Sequence, residues 1–86
     1  MKTVTVYTRP LCGYCARALA LLGRKGVEVV EISAAFDPKL RAEMIARAGG
    51  RNTYPQIFIG DAHVGGCDDL EALERAGELD GLIDAA

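Results

Sequence analysis

The hydrophobic and polar positions of the chain alternate between the spacing of a strand and the spacing of a helix. Residues 3–8 alternate small polar side chains with β-branched or aromatic ones, which is typical of a short strand. Downstream, apolar or small side chains recur with helical spacing at Leu11, Cys15, Ala18, Leu19 and Leu22. Gly26 then predicts the end of a first helix, with Arg24 and Lys25 in its last turn.

A second strand and a second helix follow. Residues 27–32 are rich in Val and predict a strand that returns beside the first one. Because a helix joins the two strands, we expect them to be parallel, with a right-handed connection. Asp37 and Pro38 predict the N-cap and the first position of the second helix. The apolar face of that helix comprises Leu40, Met44, Ile45 and Ala48.

A hairpin and two helices complete the pattern. Residues 56–59 and 62–64 predict antiparallel strands on either side of a tight turn. A helix is predicted over about residues 67–76, and a short one over residues 78–83. The order βαβ-α-ββα predicts an α/β fold in which a four-stranded mixed sheet is flanked by helices on both faces.

Composition narrows the classes of function. The 86 residues include ten Lys or Arg and twelve Asp or Glu, scattered along the chain, and few aromatic residues, so we expect no nucleic-acid partner. The apolar runs are too short to span a membrane. Met1 and Lys2 lead directly into the first strand, so no signal peptide is expected. Three cysteines in such a chain predict a reducing, cytoplasmic location.

Two cysteines, Cys12 and Cys15, lie between the first strand and the first helix. This C-x-x-C spacing beside a βαβ unit is typical of redox proteins. Free N–H groups and the positive dipole end stabilise an anion at a helix N-terminus, and Arg9 adds a positive charge nearby. We therefore expect Cys12 to be largely a thiolate at neutral pH and Cys15 to be its less exposed partner.

Three separated segments carry a resemblance to one protein family. They are residues 9–15 (RPLCGYC), 53–59 (TYPQIFI) and 65–70 (GGCDDL). In this order they closely resemble the signature segments of the glutaredoxins, nearest to the small bacterial dithiol type, and the likeness covers essentially the whole chain. The resemblance implies a single glutaredoxin domain over residues 1–86, with a thioredoxin fold and glutathione-dependent disulfide oxidoreductase activity.

The resemblance also implies roles for the cysteines and the partners. Cys12 matches the cysteine that attacks the disulfide. Cys15 matches the one that resolves protein disulfides but is dispensable for removing glutathione from a mixed disulfide. Glutathione is implied as co-substrate, disulfide-containing or glutathionylated proteins as partners, and a monomer as the active form. No tightly bound organic cofactor is expected.

Ten residues match the family's glutathione-binding positions: Arg9, Tyr14, Arg41, Thr53, Tyr54, Pro55, Gly66, Cys67, Asp68 and Asp69. By resemblance, the main chain of Tyr54 meets the cysteinyl part of glutathione and precedes a cis-proline. The helix start at Cys67 and Asp68 receives the γ-glutamyl carboxylate, and Asp68 or Asp69 faces its ammonium group. Arg9 and Arg41 offer charge-assisted donors for the glycyl carboxylate.

Two positions depart from the common family pattern, and they leave other functions open. Gly13 stands where the dithiol motif usually has Pro, and Tyr54 stands where Val is usual. Some relatives without that proline hold an iron–sulfur cluster between two subunits, so a glutathione-ligated [2Fe–2S] carrier using Cys12 is an alternative. A thioredoxin-like reductant served by a flavoenzyme is another, although the apparent glutathione groove speaks against it.

Structural interpretations compete with these functional ones. A zinc site needs four ligands, and four residues could supply them in number: Cys12, Cys15, His63 and Cys67. The predicted fold, however, gives no reason for His63 to point towards Cys12 and Cys15. We interpret His63 as a half-exposed strand residue rather than a base. Cys67 is interpreted as a small residue that fills space at a helix start rather than a third redox thiol.

Overall fold

A computed structural model describes residues 1–84, which form four strands and four helices. In chain order they are β1 (Val4–Thr8), α1 (Gly13–Arg24), β2 (Val29–Ser33), α2 (Pro38–Arg47), β3 (Gln56–Ile59), β4 (Ala62–Gly65), α3 (Cys67–Arg75) and α4 (Leu79–Asp84). The predicted order is confirmed, and the predicted boundaries differ from these by at most two residues. The last two positions of the predicted domain lie outside the described residues.

The strands form one mixed sheet in the order β2-β1-β3-β4. Strand β1 pairs with β2 in parallel and with β3 antiparallel, so that Val4 lies between Val29 and Ile59. Strands β3 and β4 form the predicted hairpin, with Gly60 at a φ of 57° in the turn. Strand β1 lies in the interior of the sheet, and the chain continues from its carboxyl end directly into the C-x-x-C segment.

Alternation along the central strands divides the core between the two faces of the sheet. Buried side chains from β1 and β3 pack on one face against α1, α3 and α4: Val4, Val6, Ile57 and Ile59 against Ala18, Leu22, Leu70, Leu79 and Ile83. The intervening Tyr7 and Phe58 pack on the other face against Met44 of α2 and Ala48, which caps the end of that helix. Helices therefore cover both faces, as predicted.

Helix α2 begins as its sequence predicts. The Asp37 carboxylate accepts N–H hydrogen bonds from Lys39 at 3.0 Å and Leu40 at 3.2 Å, with Pro38 at the first helical position. This side chain satisfies donors that the first turn leaves without an intrahelical partner.

The end of the sheet opposite the C-x-x-C segment is held by contacts between distant parts of the chain. Lys25, which follows α1, pairs with Glu74 at 2.7 Å and with Asp80 at 2.9 Å, linking α1 to α3 and α4. The Lys2 main-chain N–H donates to the carbonyl of Ile83 at 2.8 Å. The two ends of the described chain therefore lie side by side.

The prediction for Leu11 is wrong. Leu11 does not share the buried face of α1; it lies in the turn before the helix with a φ of 54°, and it is fully exposed at 101%. Because α1 begins only at Gly13, the helical spacing does not extend back to this position. The buried positions of the helix are Cys15, Ala18, Leu21 and Leu22.

None of the helices within residues 1–84 has the length and apolar character needed to cross a membrane.

Candidate active site

Cys12 and Cys15 sit at the first turn of α1, as predicted. Cys12 is the N-cap residue in an extended conformation, and its Sγ accepts the main-chain N–H of Cys15 at 3.1 Å. The two Cα atoms are 5.2 Å apart and the two Sγ atoms are at disulfide distance. A Cα separation of about 4.4–6.8 Å is the range that disulfides use, so the pair can cycle between dithiol and disulfide.

Both cysteines are buried, and Cys15 is the less exposed of the two, as predicted. Cys12 is 7% exposed and Cys15 is 3% exposed. In the dithiol form, burial raises the pKa of Cys15 to about 11, and the side-chain hydrogen bond with Cys12 adds to this effect. Reduced Cys15 is therefore a neutral thiol near pH 7, whereas the Cys12 sulfur is the one that receives a helix N–H group.

A groove of about 250 Å³ lies beside this pair. Its wall is made of Tyr14 from α1, the segment before β3, and the start of α3: Tyr14, Arg51, Thr53, Tyr54, Pro55, Gly66, Cys67, Asp68 and Asp69. Eight of these nine residues are among the ten predicted to bind glutathione. The Tyr54–Pro55 peptide bond is cis, as expected. Residues far apart in sequence thus meet along one continuous surface.

The start of α3 is arranged around Asp69. Its carboxylate accepts the Gly66 main-chain N–H at 2.8 Å and pairs with the Arg51 guanidinium at 3.2 Å. The Gly66 hydrogen bond is the main cause that lowers the pKa of Asp69, and Arg51 adds to it. Asp68 is exposed beside it. One of the two carboxylates is therefore already engaged within the protein.

Gly65 allows this arrangement. Its φ is 118°, a conformation that side chains rarely adopt. A Cβ at Gly65 would overlap both the Asp69 carboxylate and the Arg51 guanidinium. Neither Arg51 nor Gly65 was among the predicted site residues. Two features of the sequence could have indicated these residues: the Gly65-Gly66 pair before α3, and the position of the basic Arg51 shortly before Pro55.

The two predicted arginines lie outside the lining of the groove. Arg9 is exposed in the loop after β1, on a separate surface depression that also contains Cys12 and Leu11. Arg41 is exposed on α2. The nearest guanidinium to the groove is therefore that of Arg51, which forms part of its wall.

The third cysteine and the histidine occupy separate environments. Cys67 is 3% exposed at the first position of α3, and burial raises the pKa of its thiol. His63 lies on β4, where its Nε2 is 2.8 Å from Oε1 of Gln56. Within residues 1–84, no three or more His, Cys, Asp or Glu side chains come together as they would to hold a metal ion.

Tyr54 lines the groove, and its side chain also reaches the protein core. It packs against the core cluster on the α2 side of the sheet, which includes Tyr7 and Met44. Its hydroxyl oxygen is buried and has no hydrogen-bond partner among the described residues. The larger residue at this position is therefore accommodated partly by the core.

Comparison with known proteins identifies the family. The glutaredoxin family model matches residues 4–64, a segment that contains the cysteine pair and most of the groove. The chain belongs to the glutaredoxin family. It is 58% identical over 85 residues to a glutaredoxin of Pseudomonas aeruginosa, a match that covers 99% of this chain and 100% of that protein.

Two solved glutaredoxin structures extend the comparison to three dimensions. The solution structure of glutaredoxin from Brucella melitensis is 65% identical, with a TM-score of 0.83, over 96% of this chain and 89% of that one. The crystal structure of a buckwheat glutaredoxin–glutathione complex is 29% identical, with a TM-score of 0.82, over 93% of this chain and 74% of that one. The chain therefore has the thioredoxin fold, and its cysteine pair makes it a thiol–disulfide oxidoreductase.

Proposed function

We propose that this glutaredoxin reduces glutathione mixed disulfides and protein disulfides with glutathione as the electron donor. The observation that carries the proposal is the groove beside the cysteine pair, since it presents a helix N-terminus, an exposed carboxylate and a guanidinium along one surface. Glutathione carries two carboxylates and one ammonium group, which match those features in sign. The buckwheat relative with bound glutathione supports the choice of ligand.

The reaction on a glutathionylated protein needs one protein thiol. The Cys12 thiolate attacks the glutathione sulfur, the protein–glutathione S–S bond breaks, and the protein thiolate leaves and takes a proton. A glutathione thiolate then attacks the glutathione sulfur that is bound to Cys12, releasing the Cys12 thiolate and oxidised glutathione. One glutathione thiol is thereby consumed: its sulfur and the glutathione sulfur from the mixed disulfide end in one disulfide, while the protein thiol is restored.

Each end of glutathione has a proposed partner in this chain. The main-chain N–H groups at the start of α3, from Cys67 and Asp68, would bind the γ-glutamyl carboxylate. Asp68 would receive the neighbouring ammonium group, because Asp69 is engaged by Gly66 and Arg51. The cysteinyl part would lie along the main chain of Tyr54.

The remaining contacts involve longer side chains. Tyr14 and Thr53 would flank the bound tripeptide, and Arg9 would supply positive charge near the reacting sulfurs. Two arginines are candidates for binding the glycyl carboxylate. Arg51 lies in the groove wall, whereas Arg41 lies on α2, outside that wall.

Protein disulfides would require both cysteines. After Cys12 forms a mixed disulfide with the target, the thiol of Cys15 loses its proton and attacks Cys12, and the target leaves as a dithiol. Two glutathione molecules then reopen the Cys12–Cys15 bond. We place this activity in a monomeric enzyme of the cytoplasm, the reducing compartment in which glutathione can recycle the pair.

Turnover of a glutathionylated peptide, with glutathione and glutathione reductase recycling the product, tests the proposal. Fast turnover that saturates with glutathione is expected for the wild type. Cys12→Ser should reduce turnover to the uncatalysed background, whereas Cys15→Ser should retain deglutathionylation. Absence of turnover in a folded wild-type protein, or equal loss in both variants, would contradict the one-thiol route.

A second candidate function, transfer of an iron–sulfur cluster, follows from Gly13. Nothing lies within 4 Å of a Cβ built at this position, so the protein surface next to Cys12 is open. Cys12 would supply one thiolate ligand per subunit and glutathione a second, and the cluster would be held between two copies. Anaerobic reconstitution with iron, sulfide and glutathione should then give a coloured dimer that Cys12→Ser cannot form. A colourless monomer would eliminate this function.

A further inference from the structure

A chain of three polar side chains lies behind the groove. Gln56 is 0% exposed at the start of β3, directly after Pro55. Its Nε2 is 3.0 Å from the carbonyl oxygen of Thr53 and 3.0 Å from the Thr53 Oγ1. On its other side, Oε1 is 2.8 Å from Nε2 of His63. Gln56 therefore connects β4 to the segment that lines the groove.

The chemistry of the acceptors fixes the direction of these hydrogen bonds. A main-chain carbonyl only accepts, so the amide nitrogen of Gln56 must face Thr53. The amide oxygen then faces His63, and an oxygen of this kind also only accepts. Nε2 of His63 must therefore carry the proton, and in the neutral ring Nδ1 carries none.

His63 is an exposed residue of β4, and its imidazole packs on one face against an aromatic ring. It stacks on Phe58 with 4.9 Å between ring centroids and 30° between ring planes. Phe58 is buried and has the Arg47 guanidinium 4.3 Å from its ring centroid. Burial is the largest cause that lowers the pKa of His63, and Arg51 lowers it further while Asp69 opposes the change. The net effect favours the neutral ring, and its Nε2–H donates in either protonation state.

We propose that His63 is a positioning residue for glutathione binding, because its Nε2–H orients the buried amide of Gln56 and that amide holds Thr53 at the groove wall. This rests on the proposed function, in which the Thr53–Pro55 segment meets the substrate. Strand β3 pairs with β1 and β4 without this link, so its loss leaves the sheet intact. The substrate would then have to order Thr53 itself, which weakens binding and spares the chemistry at Cys12.

Two variants of His63 separate the hydrogen bond from the packing. His63→Phe keeps an aromatic ring on Phe58 and removes the donor. His63→Gln offers an amide N–H at about the distance of the imidazole Nε2. A hydrogen bond contributes about 1 kcal/mol, which corresponds to about fivefold in affinity. We expect His63→Phe to raise KM for a glutathionylated peptide about fivefold with kcat within about twofold, and His63→Gln to restore most of the KM.

A double-mutant cycle tests whether His63 acts through Gln56. In a Gln56→Met background, which has no amide to orient, His63→Phe should change KM by less than about twofold. Three results would overturn the proposal. They are an unchanged KM in His63→Phe alone, a loss of kcat in that variant as large as the rise in KM, and effects of the two substitutions on KM that are fully additive.

A measurement without turnover tests the same hydrogen bond. The nitrogen-15 chemical shifts of the His63 ring in the wild type at pH 7.5 should report a protonated Nε2 and an unprotonated Nδ1. The opposite tautomer would overturn the proposed direction. Because this readout needs no activity, and because wild-type turnover is measured first, failure of the positioning role is distinguishable from failure of the proposed function.

Discussion

Two helices begin at the active site, and they use the same backbone chemistry differently. Helix α1 has Cys12 as its N-cap and no acidic residue in its first turn. Helix α3 has Gly66 as its N-cap and two acidic residues, Asp68 and Asp69, in its first turn. Both N-termini present free N–H groups and a positive dipole end.

The difference lies in which group meets those N–H donors. At α1 the reacting sulfur itself receives an N–H, from Cys15. At α3 the Asp69 carboxylate takes the N–H of Gly66, and Arg51 balances its charge. One helix start therefore directs an N–H group at a sulfur of the cysteine pair, whereas the other directs one at a carboxylate that an arginine also pairs. The comparison teaches that side chains, rather than the helix dipole alone, distinguish the two helix starts.

Removing the sulfur at each helix start gives the largest expected contrast. Cys12→Ser should lower deglutathionylation to background, because a hydroxyl at this position is a far weaker nucleophile than a thiolate. Cys67→Ser should keep kcat within about threefold, since Cys67 is buried and burial raises the pKa of its thiol. The coupled glutathione reductase assay measures both. An inactive but folded Cys67→Ser would show that the two starts are not functionally distinct.

Gly65→Ala should disrupt the α3 start. A φ of 118° costs a residue with a side chain about 1–3 kcal/mol, and the new methyl group would also displace Asp69 and Arg51. We expect urea denaturation to give about 2 kcal/mol less stability. Gly23→Ala, in the last turn of α1 with open space around its Cβ, is the matched control and should gain about 0.5 kcal/mol. Equal effects would contradict the special role of Gly65.

Gly13→Glu should make the α1 start resemble the α3 start. Space around Gly13 is open, so the carboxylate fits, and it would repel an anionic reagent that approaches Cys12. Two charges about 4 Å apart in water interact by about 1 kcal/mol, so alkylation of Cys12 by iodoacetate should slow about fivefold at low salt, while alkylation by uncharged iodoacetamide should change less. Gly13→Gln controls for size. A slowing that persists in 1 M salt would exclude an electrostatic cause.

Asp69→Asn should give a smaller effect, about 0.5–1 kcal/mol of stability at pH 7, because Asp69 is about half exposed. The folded protein lowers the pKa of Asp69, so its contribution is present above the unfolded pKa of about 3.9 and is lost as pH falls through the folded pKa. The gap between wild type and variant should close below about pH 4 in urea titrations. Asp68→Asn should change stability by only a few tenths of a kcal/mol.

The sequence predicts the element order well because local periodicity and capping decide it. Asp37 and Pro38 predict where α2 begins, since the groups that cap a helix lie within three residues of its start. Leu11 shows the limit of this reasoning. Leu11 has a positive φ and lies in the turn before the helix, so α1 begins after it. The spacing of hydrophobic residues cannot reveal a change of backbone conformation at a single residue.

The site was predicted only where its residues lie in compact motifs. Residues 53–55 and 66–69 meet in the groove as the resemblance implies. The Arg51–Asp69 pair was not predicted, because it forms only when the β3–β4 hairpin returns α3 to the loop before β3. The hydrogen bond between Gln56 and His63 likewise depends on the register across that hairpin.

The hydrogen bond between Lys2 and Ile83 has a practical consequence for handling this protein. Strand β1 runs from that bond towards Cys12, so both ends of the described chain lie at the pole remote from the redox pair. A fluorescent reporter or surface anchor attached before Lys2 or after α4 would leave the groove open to bulky targets. A short peptide bridge could also join the two ends, with new termini opened in the exposed turn at Asp61.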